Sequence, residues 1–296
     1  MQSTTNGKLY AVKTHITREP EAIEGIRREY LRMRELRHAN LLAYHELYID
    51  TTGGKVYLVM EYFNGSNLTS IVSQAGGLPE SALRDITQQL LAVVSYLHAH
   101  GVVHRDIKPD NILIKKALKG GSYRLALIDF GVAAFNSPRA LMPSYSSYAM
   151  SDRTGTLAYR APETFNEVEY SEAVDAWALG CTLYEAAFGE RFMRHSSARC
   201  ITSTKSHLLP NLNASEKLSS VSAGLAHLLV RLLEADPAKR ATVSQAMRHG
   251  WLHAAAPEYG DSPYCGKRYS CVNILLTQLD GVGSGGSGRC RIKSFS

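Results

Sequence analysis

The sequence predicts an α+β chain built as two unequal lobes. Alternating, β-forming segments are confined to about residues 8–62. Apolar residues at three- and four-residue steps dominate from about 78 to 253. Between them "FNGSN" (63–67) has the Asn, Gly and Ser content of a boundary. The expected architecture is a small antiparallel β lobe carrying one long helix, joined to a larger, mainly helical lobe.

"GKLYAVKTHI" alternates and is rich in β-formers, so it reads as a strand. "EPEAIEGIRREYLRMRELRH" follows with Pro20 suited to a first helical turn. Ile23, Ile26, Tyr30 and Met33 give it one apolar face, and Gly25 weakens it slightly. "ELYIDTTGGKVYLVMEYF" is two strands around a Thr-Gly-Gly turn. "LPESALRDITQQLLAVVSYLHAHG" is a long helix between Pro79 and Gly101, with Leu83, Ile86, Leu90, Val93 and Leu97 as its stripe. "YRLALIDFG" is another apolar strand, and residues 132–154 lack any period and read as a long loop. The stretches 171–189, 222–235 and 242–253 read as helices, and periodicity fades after Ala254 into a tail holding "GVGSGGSG".

The 296 residues are 45% hydrophobic and 20% charged, which suits a sizeable folded core. A net charge of +6 favours anionic partners, but no polybasic block points to nucleic acid. The five cysteines are widely spaced without a CxxC knuckle and read as free thiols. No signal peptide and no apolar run of membrane-spanning length are read here. The expectation is an intracellular, cytoplasmic monomer, the nucleus not excluded, with neither nucleic acid nor membrane as partner.

One stretch carries chemistry. "VVHRDIKPDNILI" (102–114) sets six polar residues between two apolar runs. Such runs form a rigid mount, and the island between them offers a carboxylate (Asp106), a cation (Lys108) and an amide (Asn111). Asp129 adds a second carboxylate at the start of a glycine-containing turn. Carboxylate, carboxamide and second carboxylate form a hard-oxygen set suited to Mg²⁺, which usually accompanies phosphate. A carboxylate left free of metal can accept a hydroxyl proton.

"HRDIKPDN", "DFG", "GTLAYRAPE" and "DAWALG" stand in the order and spacing of eukaryotic protein kinases, with "YAVK" upstream and "DPAKRAT" downstream. The chain resembles that family over about residues 8–253. The resemblance implies a bilobal kinase-like domain over 1–253: N-lobe about 1–62, hinge about 61–67, C-lobe about 68–253. It implies transfer of the ATP γ-phosphoryl group to Ser or Thr hydroxyls of protein substrates, with Mg²⁺. Asp106 resembles the catalytic base and Lys108 the lysine that neutralises the transferring group. Asn111 and Asp129 resemble the metal ligands. Lys13 resembles the lysine on the α- and β-phosphates, and Glu29 its ion-pair partner. Met60, Glu61, Tyr62 and Phe63 match the hinge that holds adenine, and Asn67 lies near the ribose. Lys108 with Thr156 is the Ser/Thr-specific pattern. Glu163 and Arg240 resemble a buried anchoring pair, and Asp175 the brace of the catalytic loop. His104 and Phe130 are core residues of the family's spine. His98 and His100 read as helix-end residues. Asp110 and Glu185 sit where some relatives select basic residues before the target.

Two departures stand out. Only "MQSTTNGKLYAV" precedes Lys13, and it holds no G-x-G-x-x-G phosphate loop. The expectation is a truncated form of a catalysing parent, because Lys13, Glu29, Asp106, Asn111 and Asp129 are all retained. The alternatives are a natural short form with weak nucleotide affinity and a non-catalytic interaction module. A small-molecule phosphotransferase of related fold would lack "APE". The second departure is regulatory. In the family that it resembles, the arginine matching Arg105 usually pairs with an activation-loop phosphate, and here the matching position holds Asp152. Its carboxylate would order the loop partly without phosphorylation, with Ser151 and Thr154 as alternative phosphosites.

Overall fold

The computed structural model describes residues 7–116, 122–135, 155–165, 171–193 and 217–253. Strands β1 (Tyr10–Ile16), β2 (Tyr44–Asp50) and β3 (Lys55–Glu61) form an antiparallel sheet in the order β1-β3-β2. The β2–β3 register slips between Tyr44 and Glu46, a bulge that bends the start of β2. Helix α1 (Pro20–Met33) begins at Pro20, whose missing N–H costs nothing in a first turn. Its buried residues, Ile26, Glu29 and Met33, lie three and four apart and so share one face. A carboxylate on that face is the first sign that the helix delivers chemistry as well as packing.

The segment after α1 ties this lobe to the next. Asn40 is buried, and its Nδ2 donates to Gln89 Oε1 and to Leu125 O, both at 2.9 Å. Leu127 N–H donates to Asn40 O at 2.9 Å, and Leu41 bridges Leu127 in parallel. Five polar groups are thereby satisfied where two lobes meet.

The second lobe is organised on two helices. In α3 (Glu80–Ala99) the predicted stripe is buried, with Leu91 and Val94 added to it. Each large apolar side chain so buried contributes about 1.5–3 kcal/mol. Helix α4 (Ala173–Phe188) is buried from Val174 through Ala186, as "AVDAWALGCTLYEAAF", apolar on nearly every side, requires. Its cap, Gly189, has φ 71°, and a Cβ there would lie 2.6 Å from Gly76 O, so only glycine fits the junction. Helices α5 (Ala223–Leu232), α6 (Val243–Met247) and α7 (Gly250–His253) close the lobe. Arg84 Nε donates to Trp251 O at 2.9 Å and Gln88 Nε2 to Leu252 O at 2.7 Å, docking α7 onto α3.

Short strands carry the site. β4 (Ser66–Asn67), β6 (Ile112–Lys116) and β7 (Tyr123–Leu127) form one antiparallel sheet, and β5 (Val102–Val103) pairs with β8 (Ala134–Phe135). The apolar runs flanking the polar island are β5 and β6, buried as the sequence implies. Three details differ from expectation. Helix α2 (Leu68–Ala75) occupies a stretch whose sequence gave no clear period. The predicted helix over 242–253 is two short ones, interrupted at Arg248–His249. Two residues within the long loop, Ala134 and Phe135, pair as a strand. Most of that loop and the C-terminal tail lie outside the described residues. Among the described residues, no helix is long and apolar enough to cross a membrane.

Candidate active site

The loop between β5 and β6 is strained and then braced. Arg105 has φ 67°, a backbone region that side chains disfavour. Asp175, fully buried at the start of α4, accepts from the N–H groups of His104 (2.9 Å) and Arg105 (2.8 Å), one with each carboxylate oxygen. His98 Nε2 meets the same carboxylate at 2.8 Å. Burial would raise the pKa of Asp175, but the bond and charge of His98, with the Arg105 N–H bond, carry it below the ordinary range. Asp175 is therefore an ionised brace at neutral pH. The imidazole of His104 is fully buried, which lowers its pKa and keeps it neutral. Its Nε2 lies 3.1 Å from Ile128 O, and its Nδ1 accepts from Asp106 N–H at 3.3 Å. This fits the neutral tautomer with hydrogen on Nε2.

On this mount the predicted catalytic residues come together. Lys108 Nζ donates to Asp106 Oδ2 at 2.7 Å and to Thr156 Oγ1 at 2.6 Å. Asn111 Nδ2 donates to Asp106 O at 2.8 Å and to Asp106 Oδ2 at 3.0 Å. Thr156 N–H donates to Asp106 Oδ1 at 2.8 Å. Gly155 makes that approach possible: its φ is +88°, and a Cβ there would lie 2.6 Å from Arg105 O. Both Asp106 oxygens are thus oriented by donors from three directions.

The second cluster adjoins the first. Ile128 N–H donates to Asn111 O at 2.9 Å, which sets Asp129 beside the loop, and Phe130 packs on His104 with ring centroids 4.8 Å apart. Asp129 also has a positive φ, 67°. Lys13 Nζ donates to Asp129 Oδ1 at 2.7 Å, and Gly131 N–H to the same oxygen at 3.4 Å. Burial would raise the Asp129 pKa, but Lys13 outweighs it and the net shift is downward.

Glu29 corrects one expectation: it makes no direct ion pair with Lys13. Its Oε1 instead accepts the buried hydroxyl of Tyr44 at 2.9 Å. The reason is geometric. The backbone turn at Asp129 presents its carboxylate to Lys13, while Glu29 lies deeper beneath the sheet. Burial raises its pKa, with Lys13 and Tyr44 opposing.

At the hinge, Glu61 N–H donates to Ala43 O at 2.8 Å, closing the end of β3. The Phe63 ring packs with Leu42, Leu113 and Ala126. Asn67 caps α2, its Oδ1 accepting from Ser70 N–H at 2.9 Å. Arg105 Nε donates to Val132 O at 2.5 Å. Ser151, Asp152 and Thr154 lie outside the described residues. Arg240 donates to both oxygens of Glu163 at 2.7 and 2.8 Å, as a buried anchor should. His98 lies in the last turn of α3, as expected of a helix-end residue, and there it is also the partner of the buried Asp175. Its signal was its place on the stripe, four residues after the buried Val94 and next to Leu97. Asn40 and Tyr44 were also missed, and nothing in their local sequence distinguishes them.

Comparison with known proteins agrees with this geometry. The family described as Protein kinase domain matches residues 1–252. Serine/threonine-protein kinase PAK 4 of Homo sapiens is 33% identical over 254 residues, covering 86% of this chain and 40% of that protein. The chain thus spans less than half of that relative's length. The solved structure of the Rad53 kinase domain and SCD2 is 29% identical, with a TM-score of 0.68 over 88% of this chain and 85% of that one. The same domains in complex with AMPPNP give 28% identity and a TM-score of 0.63, over 88% of each chain. The chain belongs to the protein kinase family and has its bilobal α+β fold.

Proposed function

We propose that the chain is the catalytic domain of a serine/threonine protein kinase, moving the γ-phosphoryl group of ATP to a Ser or Thr hydroxyl of a protein substrate. The observation that carries this is the convergence of Asp106, Lys108, Asn111 and Thr156 in one hydrogen-bonded cluster, next to the Lys13–Asp129 pair. The complex of a related kinase domain with AMPPNP supports ATP as the donor.

The residues divide the work. Asp106 orients the incoming hydroxyl and takes its proton as the oxygen bonds to the γ-phosphorus. The bond from that phosphorus to the bridging oxygen breaks, and ADP leaves with the electron pair. Lys108, bonded to Asp106, stands where negative charge spreads over the phosphoryl oxygens. Thr156 fixes Lys108 and Asp106 together. Lys13 holds the α- and β-phosphates and Glu29 steadies it, while Glu61 and Phe63 present hinge backbone to adenine. Asn67 borders the ribose in addition to capping α2. The regulatory reading is that Arg105 pairs with the carboxylate of Asp152, or with a phosphate carried by Ser151 or Thr154.

Asn111 and Asp129 fit a Mg²⁺ ion. The carboxamide nitrogen of Asn111 makes both of its bonds to Asp106, which leaves Oδ1 for another partner, and Asp129 is held ionised. Two protein oxygens completed by phosphate are the usual Mg²⁺ set. When bound, the ion would neutralise phosphate charge. The Tyr159 hydroxyl donates to Glu185 Oε2 at 2.5 Å and so fixes that carboxylate, while a preference for basic residues before the target rests on the family positions of Asp110 and Glu185.

The test is transfer of labelled phosphate from ATP with Mg²⁺ to a Ser/Thr peptide library. Label on Ser or Thr, lost in Asp106→Asn, is expected. Binding of AMPPNP without any transfer would favour the interaction module instead.

A further inference from the structure

We infer that Tyr44 is a positioning residue of the nucleotide site, acting through Glu29. This rests on the reading of Glu29 as the residue that steadies Lys13. Tyr44 opens β2 opposite Met60, just before the bulge, and is 6% exposed. The irregular register there turns the ring beneath the sheet toward α1. Its hydroxyl donates to Glu29 Oε1 at 2.9 Å, and Glu29 is itself only 3% exposed.

Neither partner is cheap to leave alone. A buried phenol needs an acceptor, and a buried carboxylate needs a donor. Satisfying one oxygen of Glu29 also fixes where the other one goes. The point one Cβ bond from Gly131 lies 3.4 Å from Asp129 Oδ1, 3.6 Å from Lys13 Nζ and 3.9 Å from Glu29 Oε2. Oε1 is therefore occupied by Tyr44 and Oε2 faces the corner shared by Lys13 and Asp129. Tyr44 holds Glu29 with its free oxygen aimed at the lysine.

Two arrangements of one lysine follow. Lys13 bonds Asp129 in this structure. If a bound nucleotide–metal complex draws on Asp129, Lys13 needs a second anion within a short side-chain swing, and Glu29 Oε2 is already turned toward it. A phenylalanine in place of Tyr44 would keep the ring and its packing but lose the hydroxyl. Glu29 could then rotate, and the second arrangement would lose its preorganisation.

The test measures the dissociation constant for AMPPNP with Mg²⁺ in the parent chain, Tyr44→Phe, Glu29→Ala and the double variant, together with thermal midpoints. Tyr44→Phe should weaken binding about three- to tenfold, the net worth of one ordinary hydrogen bond. Added to Glu29→Ala, it should have no further effect. Where transfer is measurable, KM for ATP should rise by a similar factor with kcat nearly unchanged. Unchanged affinity in Tyr44→Phe overturns the inference. So does an equal loss in the Glu29→Ala background, because Tyr44 would then act through packing alone. Tyr44→Leu, which loses ring and hydroxyl, shows the size of the packing effect in the midpoint. Parent affinity retained by Glu29→Ala would instead sink the reading of Glu29, whatever Tyr44→Phe does.

Discussion

Two ion pairs in this molecule use the same chemistry for opposite ends. Arg240 and Glu163 are almost sealed from solvent, with side chains 0% and 13% exposed. The guanidinium makes two parallel bonds to the carboxylate, donates to the Glu234 and Ala173 carbonyls, and lies 5.2 Å from the Trp177 ring centroid. Lys13 and Asp129 share a single bond, with side chains 26% and 44% exposed. The first pair has no room to exchange partners, since every donor is committed in a fixed fork. The second is a point charge on a flexible stem against a partly wetted carboxylate. Its net worth to the fold is about 0–1 kcal/mol. Permanence and exchange are thus separated by burial and by the choice of arginine or lysine.

That contrast can be broken by substitution. The largest effect is expected in the cleft. Asp106→Asn should lower the phosphotransfer rate by about 10²- to 10⁴-fold, the range for loss of a general base. The thermal midpoint should move by no more than about 4 °C. A variant retaining parent activity would remove Asp106 from the chemistry. Arg240→Ala should show the reverse signature, because it strands Glu163 beneath the surface. It should cost about 3–5 kcal/mol in urea unfolding. A cost under about 1 kcal/mol would mean that the anchor is no more valuable than a surface pair. Lys13→Ala should fall between them. AMPPNP affinity should drop by about tenfold or more, for lack of a charge-assisted contact, while stability changes by under about 1 kcal/mol. Equal loss of stability in the Lys13 and Arg240 variants would erase the distinction.

The sequence made one of these pairs easier to see than the other. Arg240 and Glu163 sit in "DPAKRAT" and "APE", so motif order predicts their meeting, and burial leaves them no alternative. Lys13 in "YAVK" and Glu29 on the first helix are equally well placed by the family resemblance, yet Lys13 takes Asp129. Spacing along a chain fixes which backbone positions approach one another. It does not fix which rotamer wins among three charged groups around Gly131. Tyr44 illustrates the same limit, since the bulge that aims it depends on pairing with β3. Helix α2 escaped notice for a different reason. Its eight residues, "LTSIVSQA", mix β-branched and polar types, and capping by Asn67 and Gly76 with burial of Leu68 and Val72 decides the outcome. The motifs of the catalytic loop were legible because their geometry is local: Asp106, Lys108 and Asn111 lie within six residues.

A third pair lies between the two extremes and gives the finest test. The His98 and Asp175 side chains are both nearly sealed from solvent, yet a histidine is the side chain whose charge changes nearest the range in which proteins work. Burial would lower the His98 pKa, but the hydrogen bond to Asp175, its charge and that of Glu172 raise it overall. Asp175 is shifted downward. The two linkage signs follow. Stability from a raised histidine is fully present below its unfolded pKa, about 6.5, and is lost as pH climbs through the folded value. Stability from a depressed aspartate is present above its unfolded pKa, about 3.9, and is lost as pH falls through the folded value. The pair therefore contributes most between about pH 4 and 6.5. His98→Gln should cost more stability at about pH 6 than at about pH 8.5, in urea titrations at both pH values. A deficit independent of pH would mean that His98 braces the loop as a neutral hydrogen-bond partner. It would then belong with the permanent contacts, and titration would have no hold on the Asp175 brace.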